Sequence, residues 1–279
     1  MCAFSLAVQG KPSTSTCALT SADTVQDMHD DIGNMLALHD RPRRIVSIVP
    51  SLTESIAMTE QSTLVGATSW CTHPGDLDVV RVRGTKNPDV DAIVDLRPDV
   101  VVANDEENRA VDLRRLREHG IAVWVTAPTT VPEALESLRR MFEALQLERP
   151  QWLDLAAQQW RTPAPAATRR AVVPIWRRPW MALGRDTFAG DLLARLGVEN
   201  VLAGDEQRYP RIDLARLPDH DLVVLPDEPY AFHHRDGPEA FPGVPCACVS
   251  GRHLTWYGPS LVEARQLLSD QLSAERMGG

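Results

Sequence analysis

Arg44-Ile-Val-Ser-Ile-Val-Pro-Ser-Leu-Thr-Glu54 decides how this chain is read. Residues 44–49 form a short β-branched run of buried-strand character. They lead without a linker into Pro50-Ser-Leu-Thr-Glu54, where Ser51 and Glu54 have the S-x-x-E spacing of a capping box that opens a helix. A buried strand feeding straight into a helix is half of a βαβ unit. Outward from it the pattern repeats. Residues 64–68 read as a second strand ending near Trp70. Asn87 and Pro88 cap a helix carrying Val90, Ile93, Val94 and Leu96 at helical spacing. Residues 100–103 form a strand, a charged helix through Leu113 and Leu116 ends at Gly120, and residues 121–125 form the next strand.

The middle of the chain breaks this alternation. Thr130 and Glu133 form another capping box, and Val131, Leu135, Leu138, Phe142 and Leu145 make an apolar helical stripe. Pro150 restarts a helix with Leu153, Ala156, Ala157 and Trp160 on one face, and Thr162-Pro-Ala-Pro-Ala-Ala167 is stiff punctuation. Strands at 171–176, 221–225 and 244–249 follow, with helices at 187–196 and from Pro259. The expected fold class is α/β: two Rossmann-like lobes with mainly parallel sheets, joined by a helical connector. The boundaries are a loose Ser/Thr-rich tail at 1–28, an N-terminal lobe at 29–129, the connector at 130–168 and a C-terminal lobe at 169–279. A faint internal echo supports two lobes: Leu96-Arg-Pro-Asp-Val-Val-Val-Ala-Asn-Asp-Glu106 resembles Leu217-Pro-Asp-His-Asp-Leu-Val-Val-Leu-Pro-Asp-Glu228. Each places an Asp-Glu pair just past the carboxyl end of a buried strand, the edge where open α/β sheets bind ligands.

Composition narrows the function. The 279 residues carry a net charge of −9, which argues against a nucleic-acid or anionic-membrane surface. The five cysteines show no zinc-site spacing; Cys246 and Cys248 read as two inward-facing positions of one strand. The start has no basic residues ahead of its short apolar run and no lipoprotein-type run before Cys17, so the chain as written is expected in the cytoplasm. Nucleophile-elbow, zincin, P-loop and dinucleotide motifs are missing.

Asp105, Glu106, Glu107, Asp227 and Glu228 have two readings, a metal or acid/base set and ordinary solvated carboxylates, of which the second is the commoner. His73, His233, His234 and His253 fall in loops. Seven of the fifteen aromatics are Trp, and Trp70, Trp176, Trp180, Trp256, Tyr209, Tyr230 and Tyr257 sit in or near loops. They read either as core packing or as flat apolar faces for a large ligand.

The order 44–54, Leu64-Val-Gly66 and Leu96-Arg-Pro-Asp-Val-Val-Val102 resembles the first lobe of the Fe/cobalamin-type, helical-backbone substrate-binding proteins of ABC importers. Asp31-Ile-Gly-Asn34 resembles their lead-in hairpin, and Leu183-Gly-Arg-Asp-Thr187, Leu196-Gly-Val-Glu-Asn-Val201 and Tyr209-Pro-Arg-Ile212 fit their second lobe. The resemblance spans roughly residues 30–275 and is nearest to the cobalamin-binding type. It implies a non-enzymatic protein that clamps a corrinoid or other metal chelate between its lobes, with no catalytic residue, resident cofactor or protein-bound metal. Trp70, Lys86, Trp180, Met181, Tyr209, Arg252, His253 and Trp256 are the implied ligand contacts; Thr85-Lys86 replaces a family Trp. Asp105, Glu106, Asp227 and Glu228 are the expected cleft carboxylates, able to accept hydrogen bonds from ligand amides. Asp91 occupies one permease-docking position, whereas the second is Ala215, which weakens the case for an ABC permease as partner. The protein is otherwise expected to be a monomer that meets no nucleic acid. The rival readings are a metal-dependent hydrolase or corrinoid-processing enzyme using the acidic strand ends with His73 or His253, and a ferric siderophore or haem binder using Arg177, Arg178 and Arg185.

Overall fold

The computed structural model describes residues 28–36, 38 and 40–277. Apart from Met28, the expected N-terminal tail lies outside the described residues, as do Cys2 and Cys17. Met28–His29 pairs antiparallel with Met35–Leu36, and the turn between them is held by Asp30, whose Oδ1 accepts from Ile32 N at 3.1 Å and Asn34 N at 2.7 Å.

The first sheet runs Val80–Arg81, Leu64–Ala67, Ile45–Ser47, Val100–Asn104, Ala122–Thr126, all parallel. Val100–Asn104 is buried along its whole length. Alternation sends Val100 and Val102 into one apolar cluster and Val101 and Ala103 into another on the opposite face. Helix α1 (Pro50–Glu60) covers the first face; α2 (Val90–Asp95) and α3 (Ala110–Glu118) cover the second. The capping box expected at Ser51 and Glu54 is absent. The helix begins at Pro50, with Val49 as an N-cap that makes no side-chain bond. Proline's fixed φ already suits the first turn, which places Ser51 inside the helix and frees Glu54 to reach across the molecule. Asp89, rather than Asn87 or Pro88, caps α2 through its side chain.

The connector is two helices rather than one. α4 (Val131–Ala144) opens on a complete Thr130–Glu133 capping box. Residues 145–150 interrupt it, with Gln146 at φ +52°, and α5 (Gln151–Trp160) follows Pro150. The second sheet runs Val198–Asn200, Arg169–Val172, Leu222–Pro226, Pro245–Val249 in parallel, with Arg276–Met277 antiparallel at the edge. The single strand expected over 171–176 divides. Arg169–Val172 stays in the sheet, while Pro174–Trp176 turns out to pair antiparallel with Met181–Ala182, because Pro174 has no N–H for a central ladder. Cys246 is buried, but Cys248 is exposed: it lies beyond the Phe232–Phe241 cluster that covers Cys246, on the wall of an open cavity with His233 and His234.

Helices α6 (Phe188–Arg195), α7 (Gly251–Thr255) and α8 (Leu261–Ser273) complete the second half. One apolar cluster takes in Val100 and Trp124 from the first sheet, Phe142 and Trp160 from α4 and α5, and Val224 and Ala247 from the second. The two sheets therefore share their largest core, while each keeps a smaller cluster on its other face.

Candidate functional site

Each sheet has a point where strand order reverses: between Ile45–Ser47 and Val100–Asn104 in the first, and between Arg169–Val172 and Leu222–Pro226 in the second. Crevices outside the carboxyl ends of such strands are where open α/β sheets bind ligands. Here the two crevices face each other across an open cleft of about 720 Å³, within the range of roughly 300–1,000 Å³ typical of small-molecule sites.

One wall is built by Asn104. Its Oδ1 accepts from the backbone N–H of Glu106 and of Glu107, both at 2.9 Å, turning the chain sharply after the strand so that both glutamates line the cleft. Its Nδ2 donates to the Tyr257 hydroxyl at 2.8 Å, and that oxygen also lies 2.8 Å from Thr126 Oγ1. Lys86 reaches over to donate to the Glu106 carbonyl. The facing wall comes from the Pro174–Trp176/Met181–Ala182 hairpin, from Phe188, Arg208 and Tyr209, and from Glu228, whose Oε2 accepts from Trp256 Nε1 at 3.1 Å.

The carboxyls resist ionisation. Burial, reinforced by the Glu106 charge, pushes the Glu107 carboxyl up to about 7; Lys86 opposes this and Glu228 adds to it. Burial also raises Glu106, against the pull of Arg208 and Lys86, and raises Glu228, against its bond from Trp256. Burial sends the Tyr257 phenol well above its usual value. Among the described residues, no group of three or more His, Cys, Asp or Glu side chains is arranged to hold a metal ion.

Of the expected contacts, Lys86, Met181, Tyr209, Trp256, Glu106 and Glu228 line the cleft. The others lie elsewhere. Trp70 is 67% exposed beside Gly84. Trp180 stacks on Phe232 at 5.8 Å, meets Phe241 edge-on, and lies under Arg177. Arg252 is committed to Glu54 of α1. His253 bonds Ser250 at 2.7 Å and Glu263 at 3.0 Å. Asp105 is exposed, and Asp227 accepts from Gly251 N at 2.6 Å while facing a different cavity. The arginines of the siderophore reading are also outside: Arg177 pairs with Asp236 and Glu239, and Arg185 with Asp186. Asn104, Phe188 and Arg208 line the cleft without having been singled out from sequence. The nearest signal is that Asn104 ends a buried strand just before the acidic turn.

The floor ties the two halves together. Besides the Tyr257 bonds, the Arg252–Glu54 pair crosses from α7 to α1. Trp256 meets His73 edge-on at 5.4 Å. Gly258 lies so close to α1 that a Cβ there would sit 2.7 Å from Ser55 Oγ.

No family model matches the chain. It is 23% identical over 257 residues to a vitamin B12-binding protein of Pectobacterium carotovorum subsp. carotovorum, covering 85% of this chain and 91% of that one. It is 26% identical over 264 residues to an uncharacterised ABC transporter substrate-binding lipoprotein of Bacillus subtilis, covering 87% and 84%. In structure it matches the periplasmic haem-binding protein HutB of Vibrio cholerae with a TM-score of 0.66 at 18% identity, over 81% of this chain and 97% of that one. The chain is thus similar in sequence and in fold to the helical-backbone substrate-binding proteins. The haem-binding protein is named as periplasmic and the Bacillus subtilis protein as a lipoprotein, and neither name supports a cytoplasmic expectation.

Proposed function

We propose that this chain is a non-enzymatic binding protein, which holds a large flat metal chelate of the cobalamin type in the inter-sheet cleft, as a substrate-binding component related to ABC importers. The observation that carries this is the cleft itself. Flat apolar and aromatic groups (Ile175, Met181, Phe188, Tyr209 and Trp256) stand across from hydrogen-bonding acceptors at two opposed sheet edges. Such a site gains most of its affinity from apolar area and takes its orientation from a few polar groups. The name of the B12-binding relative, matched over most of both chains, agrees with it. On this reading the protein works as a monomer and passes its ligand to a membrane permease. Asp91, with its side chain 83% exposed at the start of α2, is then a docking acid. Ala215, also on the surface, carries no charge at the second position, where Asp213 is the nearest acid.

The test is equilibrium dialysis and tryptophan quenching with cyanocobalamin, with haem and a ferric siderophore as comparators. Saturable one-to-one binding of the corrinoid is expected. Binding of haem or the siderophore in preference to it, or of none of the three, overturns the assignment.

A further inference from the structure

The corrinoid reading says what size and shape the cleft takes; the placement of its carboxyl groups says more, on the basis of that reading. The Glu106 Oε1 atom is buried and has no hydrogen-bond partner. Among the described residues no donor reaches the Glu107 carboxyl, although its backbone is fixed by Asn104. Glu228 uses one oxygen on Trp256 and keeps the other. Among the described residues, Lys86 and Arg208 are the cationic groups that line the same space, and Lys86 spends a hydrogen on the Glu106 carbonyl. Buried acceptors without donors cost free energy that an arriving N–H restores. An arriving carboxylate brings no hydrogen and adds a like charge in a site of low polarity.

We infer that Glu106, Glu107 and Glu228 select the ligand by its periphery: they accept hydrogen bonds from the primary amides of a neutral macrocycle and turn away one that carries carboxylates at those positions. The same rule disfavours haem, whose two propionates are carboxylates, although haem would satisfy the apolar wall.

The experiment measures equilibrium dialysis of cyanocobalamin and of each of its monocarboxylic acids, in which one peripheral amide is hydrolysed, against the unaltered protein and against Glu106→Gln, Glu107→Gln and Glu228→Gln. The melting transition of each variant is recorded alongside. At about pH 8, where carboxylic acids of the ligand are ionised, at least one acid is expected to bind roughly tenfold or more weakly than the amide. At least one folded Gln variant is expected to narrow that ratio severalfold, because a glutamine amide donates to the carboxylate that the glutamate repels. If cyanocobalamin binds but every acid binds equally well, or the ratio is the same in all three variants, the selection is refuted while the corrinoid reading stands. If cyanocobalamin does not bind, both fall together.

Discussion

Replacing Glu107 by Gln is expected to make the protein more stable, by an amount that grows as pH rises from 4.5 to about 7 and is held above that. In the unfolded chain the carboxyl has its ordinary value of 4.5, and in the folded chain it is pushed up to about 7. The folded state therefore binds this proton more tightly. The stability linked to it is fully present below 4.5 and is lost as pH rises through about 7. That interval is worth about 3 kcal/mol, at about 1.4 kcal/mol per decade. Glutamine cannot ionise, so the variant escapes the loss. Glu106, Lys86 and Glu228, which face the carboxyl, are present in both proteins, so their own titration largely cancels in the difference. For a chain of 279 residues, an unfolding entropy of about 2 cal/mol/K per residue turns this energy into a melting shift of about 5 °C. Urea titrations and thermal melts at intervals from about pH 5 to pH 9 read it directly. The two proteins should differ little near pH 4.5, separate steadily as pH rises toward about 7, and keep a constant difference above that. A difference that is flat across the range refutes the claim that burial holds this carboxyl protonated.

Arg252→Met leaves the Glu54 charge buried across the lobe contact and should cost about 3–5 kcal/mol in urea titration, with part of the loss recovered in the Glu54→Gln/Arg252→Met pair. Gly251→Ala places a Cβ 2.5 Å from the Glu228 backbone nitrogen; displacement of that segment should cost about 1–3 kcal/mol and weaken corrinoid binding in dialysis. Tyr209→Ala should reduce cyanocobalamin affinity roughly tenfold or more with little change in melting, whereas Trp180→Ala, packed among Phe232 and Phe241 outside the cleft, should cost about 3 kcal/mol of stability and leave affinity intact. Because one apolar cluster spans both sheets, a cut in the exposed 162–167 stretch should release no half that keeps a cooperative melt; a protease-resistant half-molecule argues against the shared core.

Local chemistry explains which parts of this structure the sequence revealed. β-branched runs at 44–49 and 100–103 and the Thr130–Glu133 box depend on neighbours a few residues apart, and the corresponding elements formed. The Ser51–Glu54 box matched the same local rule and failed, because the helix already begins at Pro50 and takes Ser51 inside it; Glu54 pairs instead with Arg252, 198 positions away. Site residues divide along the same line. Glu106 and Glu228 were legible because a strand end places whatever follows it at the sheet edge. Trp180 sits in a turn, and Arg252 and His253, read with the loops, lie in α7; the partners that hold the three elsewhere (Phe232, Glu54, Ser250 and Glu263) are set by tertiary packing. Asn104 was invisible for the reverse reason: its importance comes from bonding two backbone amides and a tyrosine that folding brings from the far end of the chain.

Tyr257 and Gly258 belong by sequence to the second half of the molecule, yet Tyr257 bonds to the first and Gly258 packs against it. A cleft stitched along its floor in this way is a slot of fixed gauge rather than a pair of jaws. It measures a guest by thickness before any hydrogen bond forms, and little of the binding free energy is spent on closing two bodies around the guest. Arrival is then a matter of diffusion and edge-on orientation, with no slow conformational step to wait for. Departure carries the opposite burden: a receiver must prise at the seam beside α1 or draw the guest out by its exposed rim.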